Sequence, residues 1–211
     1  MSLGGYMKIL EMYKLKKMVK NFRNSNKPVK FNMGSGDIKN STYINIDLYD
    51  KHSDIKLDIL NLPIDDNIVD EILCSHVIEH IDYFEGKKMI KEYSRILKSG
   101  GKLIVETANL IPLLEEIVKS NEEERAVLYT CLFAFPWVPG MGHKFLYSEE
   151  RLVKLLEENE FERIEKVKVI EVDDYSEEKV EKYKLYYDEY KGWMSNERFQ
   201  KIHMSFVAYK K

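Results

Sequence analysis

Four side chains in two short stretches have the types and spacing of reactive chemistry. In the run from Ser75 to His80, His76, Glu79 and His80 fall at i, i+3 and i+4, so on a helix they would share one face. His143, in the stretch Gly-His-Lys-Phe-Leu-Tyr, is a fourth candidate. Imidazoles beside a carboxylate serve as an acid–base group or, where they converge, as a divalent-metal set. His76 and His143 are the candidates for a base or substrate-binding role. No metal is expected; His76, Glu79, His80 and His143 are the alternative ligand set.

A second constellation lies upstream. Val29 to Asp47 reads as an apolar run, a turn containing Gly34 and Gly36, and a second apolar run ending in Asp47. Glycines let the backbone approach a ligand without a Cβ clash. A carboxylate at a strand end can accept both hydroxyls of a ribose. A dinucleotide fold would want a third glycine at position 39, where Lys39 stands, and a helix N-terminus aimed at the pyrophosphate. Between Met33 and Tyr43 there is no room for such a crossover helix. A phosphate-free adenosine cofactor is therefore favoured over NAD or FAD.

These residues need strand ends and loops to hold them, and the chain supplies the elements. Short β-rich runs at Lys30–Met33, Tyr43–Leu48, Ile55–Asp58, Val69–Cys74 and Lys102–Glu106 alternate with a long helix at Ile81–Leu97 that Gly100-Gly101 is expected to end. Tyr6–Asn24 has helical spacing, with Ile9, Met12, Val19 and Phe22, and Leu15 or Tyr13 between them, facing inward and a basic opposite face. Helices are expected at Leu113–Lys119, around Arg125–Phe133 and at Ser148–Asn159, where Ser148 is placed to cap. Phe161–Val172 alternates as a strand, Asp173–Gln200 reads as an acid- and tyrosine-rich helical insert, and Met204–Tyr209 is a last strand. The aromatic stretch Phe133–Trp137, followed by Pro139, Gly140 and Gly142, is a candidate wall of the site.

Bulk properties narrow the class. The chain has 211 residues, a net charge of −3 and two cysteines without a CxxC pair. That describes a globular protein of one core from a reducing compartment, and the cytoplasm is expected. No apolar stretch is long enough to span a bilayer and no signal peptide is visible. Neither a membrane nor a nucleic acid is expected as a partner.

Taken together, the segments NMGSGDIKNSTYINIDLYD, LDILNLPIDDNIVDEILCSHVIEHI and RILKSGGKLIVETAN resemble the three consecutive signatures of class I S-adenosylmethionine-dependent methyltransferases. GHKFLYSEERLVKLLEENEF resembles the family's later helix-and-strand segment. The resemblance implies a doubly wound, Rossmann-like α/β fold in three layers, with a seven-stranded, mostly parallel sheet and an antiparallel last strand. One domain is implied from residue 29 to 211, with inserts near 110–145 and 173–200 and a helix in residues 1–28 packed on it.

It further implies S-adenosyl-L-methionine as cofactor. Gly34, Ser35 and Gly36, with Asn32 before them and Ser75 beyond the fourth strand, would meet its methionine part and ribose. Asp47, followed by Leu48, would bind the ribose hydroxyls, and Asp58 and Ile59 would hold the adenine. Methyl transfer to an oxygen or nitrogen of a small-molecule or saccharide acceptor is the expected activity. The alternatives are a metal-assisted RNA 2′-O-methyltransferase, which the His and Glu set resembles apart from His76, and a cofactor-binding protein without transfer activity.

Overall fold

The computed structural model describes residues 3–36, 40–168 and 196–211. The chain runs α1 (Leu3–Asn24), β1 (Lys30–Met33), β2 (Ile44–Ile46), β3 (Val69–Ser75), a 3-10 turn (Ile78–His80), α2 (Tyr83–Ile96) and β4 (Leu97–Ala108). It continues through α3 (Leu110–Lys119), α4 (Glu122–Phe133), α5 (Glu149–Glu157), β5 (Phe161–Val167), α6 (Asn196–Ile202) and β6 (His203–Lys210). Among the described residues six strands form one sheet in the order β2-β1-β3-β4-β6-β5. Strands β2, β1, β3 and β4 are parallel, and β6 runs antiparallel to both β4 and β5. The antiparallel last strand is as the sequence implies.

The seventh strand is the first correction. Ile55–Asp58 contributes only a parallel bridge between Ile46 and Ile55. Leu57 turns into the core while Asp58 is exposed and accepts from the Leu60 N–H, so the chain leaves the ladder after one residue. A second correction concerns Gly100-Gly101. Helix α2 ends at Ile96, and the two glycines lie inside β4, where the pairing with β3 shifts register. A Cβ at Gly101 would come 2.7 Å from the Lys98 carbonyl, so the pair makes a tight kink in a strand instead of a helix cap.

The faces of the sheet differ in chemistry. Phe31, Met33, Ile44, Ile46, Ile72, Cys74, Leu103, Val105, Phe206 and Ala208 are buried on one face. Alternate positions carry a polar ladder on the other. Glu71 on β3 takes Lys102 from β4 at 2.6 Å, Lys30 from β1 at 3.4 Å, and the Tyr43 hydroxyl ahead of β2. Helix α1 adds Leu15 and Val19 to the core, with Met12 and Phe22 against it; Tyr13 and Ile9 face solvent, contrary to the expected stripe. Helices α3, α4 and α6 close a smaller cluster around Leu113, Leu128, Cys131 and Ile202.

The β1–β2 connection has, among its described residues, turns and no helix, as its length requires. Asn45 takes over the organising role. Its Oδ1 accepts from Asn32 Nδ2 and the Asn40 N–H, each at 3.1 Å, and its Nδ2 donates to the Asn40 carbonyl and to Asp54. Most of the expected insert at 173–200 and the end of the expected strand Phe161–Val172 lie outside the described residues; the rest is α6 and β5.

The helix-free segment before β3 is pinned by one side chain. Arg95 on α2 holds Glu92 at 2.6 and 2.8 Å and Asp66 at 2.6 Å, and donates to the carbonyls of Ile64 and Leu62 at 2.9 and 3.1 Å. Arg95→Ala is expected to lower unfolding free energy in denaturant titration by about 2 kcal/mol, because two carbonyls lose a charged donor. Arg95→Lys should fail to restore it, since an ammonium has no planar fork to span four acceptors.

Candidate active site

Strands β1 and β3 are neighbours whose connections leave in opposite directions, to β2 and to β4. That is the switch point at which open α/β sheets bind ligands. Gly34 and Gly36 follow β1 with φ of +64° and +54°. The Gly34 and Ser35 N–H groups both donate to the Ile46 carbonyl, which ties the turn to the end of β2. A Cβ on Gly34 would lie 2.5 Å from a Val77 methyl, so this position requires glycine for space as well as for φ.

Asp47 sits directly opposite. Its Oδ2 accepts from the Gly36 N–H at 2.9 Å, and its Oδ1 accepts from the Tyr49 and Asp50 N–H groups at 2.7 and 2.8 Å. The carboxylate thus both caps its own turn and closes the glycine turn, with lone pairs left on Oδ2. Asp58 and Leu48 are exposed and Ile59 is half-buried along the same edge. Asn32 is engaged by Asn45 in the sheet. Ser75 ends β3, where its hydroxyl donates to Glu106 on β4 at 2.8 Å.

Beyond Ser75 the chain turns sharply. His76 has φ +53° and donates its N–H to the Glu106 carbonyl. The reversal lets the following 3-10 turn swing Glu79 back, placing Glu79 Oε1 3.1 Å from His76 Nδ1. Glu79 is fully buried, whereas the His76 side chain keeps 31% of its surface open. His80 leaves the pair and reaches the Gly142 carbonyl at 3.4 Å, its ring 4.7 Å from that of His143. The Glu79 carbonyl in turn accepts from Lys144 and Phe145, anchoring the segment that carries His143. The shared helical face expected for His76, Glu79 and His80 therefore does not form. They divide into a His76–Glu79 pair and a His80–His143 pair, and among the described residues no three His, Cys, Asp or Glu side chains converge as a metal site.

Residues 15–105 match the family described as a methyltransferase domain. An uncharacterized protein of Methanocaldococcus jannaschii is 44% identical over 66 residues, 31% of this chain and 28% of that protein. Among solved structures, a SAM-dependent methyltransferase from Archaeoglobus fulgidus covers 96% of this chain and 94% of its own at 16% identity, with TM-score 0.53. Haemonchus contortus phosphoethanolamine N-methyltransferase 2, solved in complex with S-adenosyl-L-methionine, gives 0.54 at 16% identity over 87% of this chain and 48% of that one. A Thermotoga maritima SAM-dependent methyltransferase, described as a possible histamine N-methyltransferase, gives 0.51 at 18% identity over 97% and 89%. The chain spans about half of the Haemonchus protein and 28% of the Methanocaldococcus one. The fold is that of the class I S-adenosylmethionine-dependent methyltransferases.

The fold adds residues that the sequence motifs do not mark. His203, the first residue of β6, is buried edge-on to His76 with ring centroids 5.1 Å apart. It stacks on Phe199 at 4.0 Å and places Nδ1 2.9 Å from the Phe199 carbonyl, so Nδ1 carries the proton. Glu106 is buried beside Ser75 and opposite Ser205 in the β4–β6 register. Asn45 is the third. Asn45 and Glu106 lie in runs that read simply as strands, and His203 falls just ahead of one; a polar residue at the buried end of a strand was the available signal.

Electrostatics at the cluster are set by Glu79. Burial alone would raise its carboxyl, but the hydrogen bond and charge of His76, then the charges of His80 and His143, hold it down at about 2. Burial opposes protonation of His76 too, yet Glu79 and then Glu106 raise it above the ordinary histidine value. His203 is pushed down to about 3 by burial and then by His76, and His143 is lowered by burial and the neighbouring imidazoles. Between about pH 3 and 6.5 the unfolded chain binds a proton at position 203 that the folded chain refuses, so stability rises with pH there. Above 6.5 the raised His76 reverses the sign, because the folded state then holds the extra proton. Unfolding free energy measured against pH should peak near 6.5, and His203→Phe should flatten the acid limb by up to about 1.4 kcal/mol per pH unit.

Proposed function

We propose that this chain transfers a methyl group from S-adenosyl-L-methionine to an oxygen or nitrogen of a small-molecule or saccharide acceptor. The observation that carries this reading is the Gly34–Gly36 turn closed onto Asp47 at the switch point, one strand away from a half-buried imidazole backed by a buried carboxylate. The cofactor, when bound, supplies an electrophilic methyl on a sulfonium and leaves as S-adenosylhomocysteine. Asp47 would accept from the ribose hydroxyls through the lone pairs that Gly36 leaves free. Gly34, Ser35, Gly36 and Ser75 would line the methionine part, with Leu48, Asp58 and Ile59 at the adenine. Asn32, committed to Asn45, would act on this loop from beneath.

His76 is the group placed to take the proton that a hydroxyl or ammonium acceptor loses. With Nδ1–H donated to Glu79, the Nε2 lone pair is the acceptor. His143 would contribute from the opposite loop, beside His80. The order of events is binding, alignment for in-line displacement, and proton loss to His76. A small-molecule acceptor is in keeping with the Haemonchus enzyme of similar fold, which was solved with phosphomonomethylethanolamine and S-adenosylhomocysteine.

Thermal unfolding with S-adenosylmethionine, S-adenosylhomocysteine and NAD tests the cofactor half. At about 100 times its dissociation constant, either S-adenosyl compound should add about 2.7 kcal/mol, NAD nothing, and Asp47→Ala should abolish the gain. No shift with either S-adenosyl compound would sink the reading. Production of S-adenosylhomocysteine from an acceptor pool tests transfer: binding without turnover returns the chain to a cofactor-binding protein. Where turnover is found, kcat should rise with pH through the raised pKa of His76. Glu79→Gln should move that limb to lower pH and lower the plateau about 10- to 100-fold.

A further inference from the structure

The outer face of α1 is divided along its length. Leu15 and Val19 are buried in the core with Met12, Met18 and Phe22 against it, so the opposite arc faces water. Over the first half that arc carries Tyr6, Met7, Ile9, Leu10 and Tyr13, from 48% exposed at Ile9 to 70% at Tyr13, with Lys8 the one exposed cation beside them. Over the second half it carries Lys14, Lys16, Lys17, Lys20 and Arg23, all exposed and none in an ion pair among the described residues. The one acid of the helix, Glu11, accepts from the Lys56 N–H. With six cations against one carboxylate, α1 has a net charge of +5, whereas the whole chain has −3.

Five large apolar side chains in water on one helix mark an interaction surface. Aromatic and aliphatic residues continuing into lysines is the composition of a helix that lies in a membrane interface, where cations meet anionic headgroups. A second copy fits poorly. A two-fold axis along the helices sets basic half against basic half, and one across them sets lysines on apolar residues without carboxylates. Nucleic acid would use the cations and leave Met7, Ile9 and Leu10 unaccounted for.

We propose that the outer face of α1 docks on an anionic lipid bilayer, its apolar half at the acyl boundary and its basic half on the phosphate headgroups. No helix among the described residues is long and apolar enough to cross a membrane, so this is adsorption to a surface. The Lys56–Glu11 bond, on the inner side of α1, sets the helix beside the segment that leads to Asp58. This inference does not depend on the methyl-transfer reading.

Flotation of the full chain with neutral phosphatidylcholine vesicles and with equimolar phosphatidylcholine–phosphatidylglycerol vesicles tests it, at about 50 and about 500 mM salt. The chain should float with the anionic vesicles at low salt and stay behind with the neutral ones. Lys16→Glu/Lys20→Glu should lower the partition coefficient about 30-fold or more, the loss that two cations near such a surface represent. Leu10→Glu/Tyr13→Glu should lower it at least as far, and both variants should melt with the parent because their side chains are exposed. Absence of flotation, equal flotation on both vesicles, or either double variant floating like the parent overturns the proposal. So does a dimer that Leu10→Glu/Tyr13→Glu dissociates. Binding of single-stranded RNA that only Lys16→Glu/Lys20→Glu abolishes, without vesicle binding, gives the face to nucleic acid instead.

Discussion

Position 34 is constrained in space and in backbone conformation at once. The loop leaving β1 and the loop leaving β3 touch there, with the Val77 methyls where a side chain on Gly34 would have to go. Only a hydrogen fits, and only a residue at ease with a positive φ makes the turn. This contact fixes how the two strand ends approach each other. On one side it delivers Gly36 to Asp47; on the other it sets the start of the turn that brings Glu79 under His76. The cofactor half and the reactive half of the candidate site are therefore joined through a single close approach.

The second organising group is the buried Glu79 carboxylate. A charge in that position is tolerated because an imidazole hydrogen-bonds it and two more stand nearby. Its backbone carbonyl holds the loop at 144–145 at the same time, so one residue links charge and loop placement. The surrounding imidazoles are pushed in opposite directions as a result. His76 gains a proton more readily than an ordinary histidine, while His203 and His143 resist one. That separation marks the His76–Glu79 pair, and not the other histidines, as the functional-site candidate.

Among the described residues, two connections of the sheet run without an α-helix. Asn45 and Arg95 each satisfy several backbone groups that a helix would otherwise satisfy internally: Asn45 in the β1–β2 connection, Arg95 in the segment before β3. Buried backbone carbonyls and N–H groups must find partners, and side chains with several donors or acceptors are the compact solution. The polar ladder around Glu71 does the corresponding work on the second face of the sheet.

Much of this was legible from residue order. The glycine pair, Asp47 after an apolar run, the Ser148 cap and the alternation of elements depend on local spacing, and local geometry makes that spacing necessary; Ser148 indeed accepts from the Arg151 N–H. The failures share a cause. Ile55–Asp58 has strand composition but leaves the ladder after Ile55, and Gly100-Gly101 reads as a helix stop but sits in a strand, because sheet pairing overrides local preference. The helical face assumed for His76, Glu79 and His80 vanished once His76 took a left-handed backbone beside Glu106. His203 lies 127 residues from His76 in the chain and meets it only because β6 enters the sheet antiparallel to β4. By itself the sequence determined which cofactor chemistry the strand ends suit, since one short segment holds those groups. Which histidine is charged, which is neutral and which carboxylate is buried between them was decided by tertiary structure, because burial and charge depend on neighbours far away in the chain.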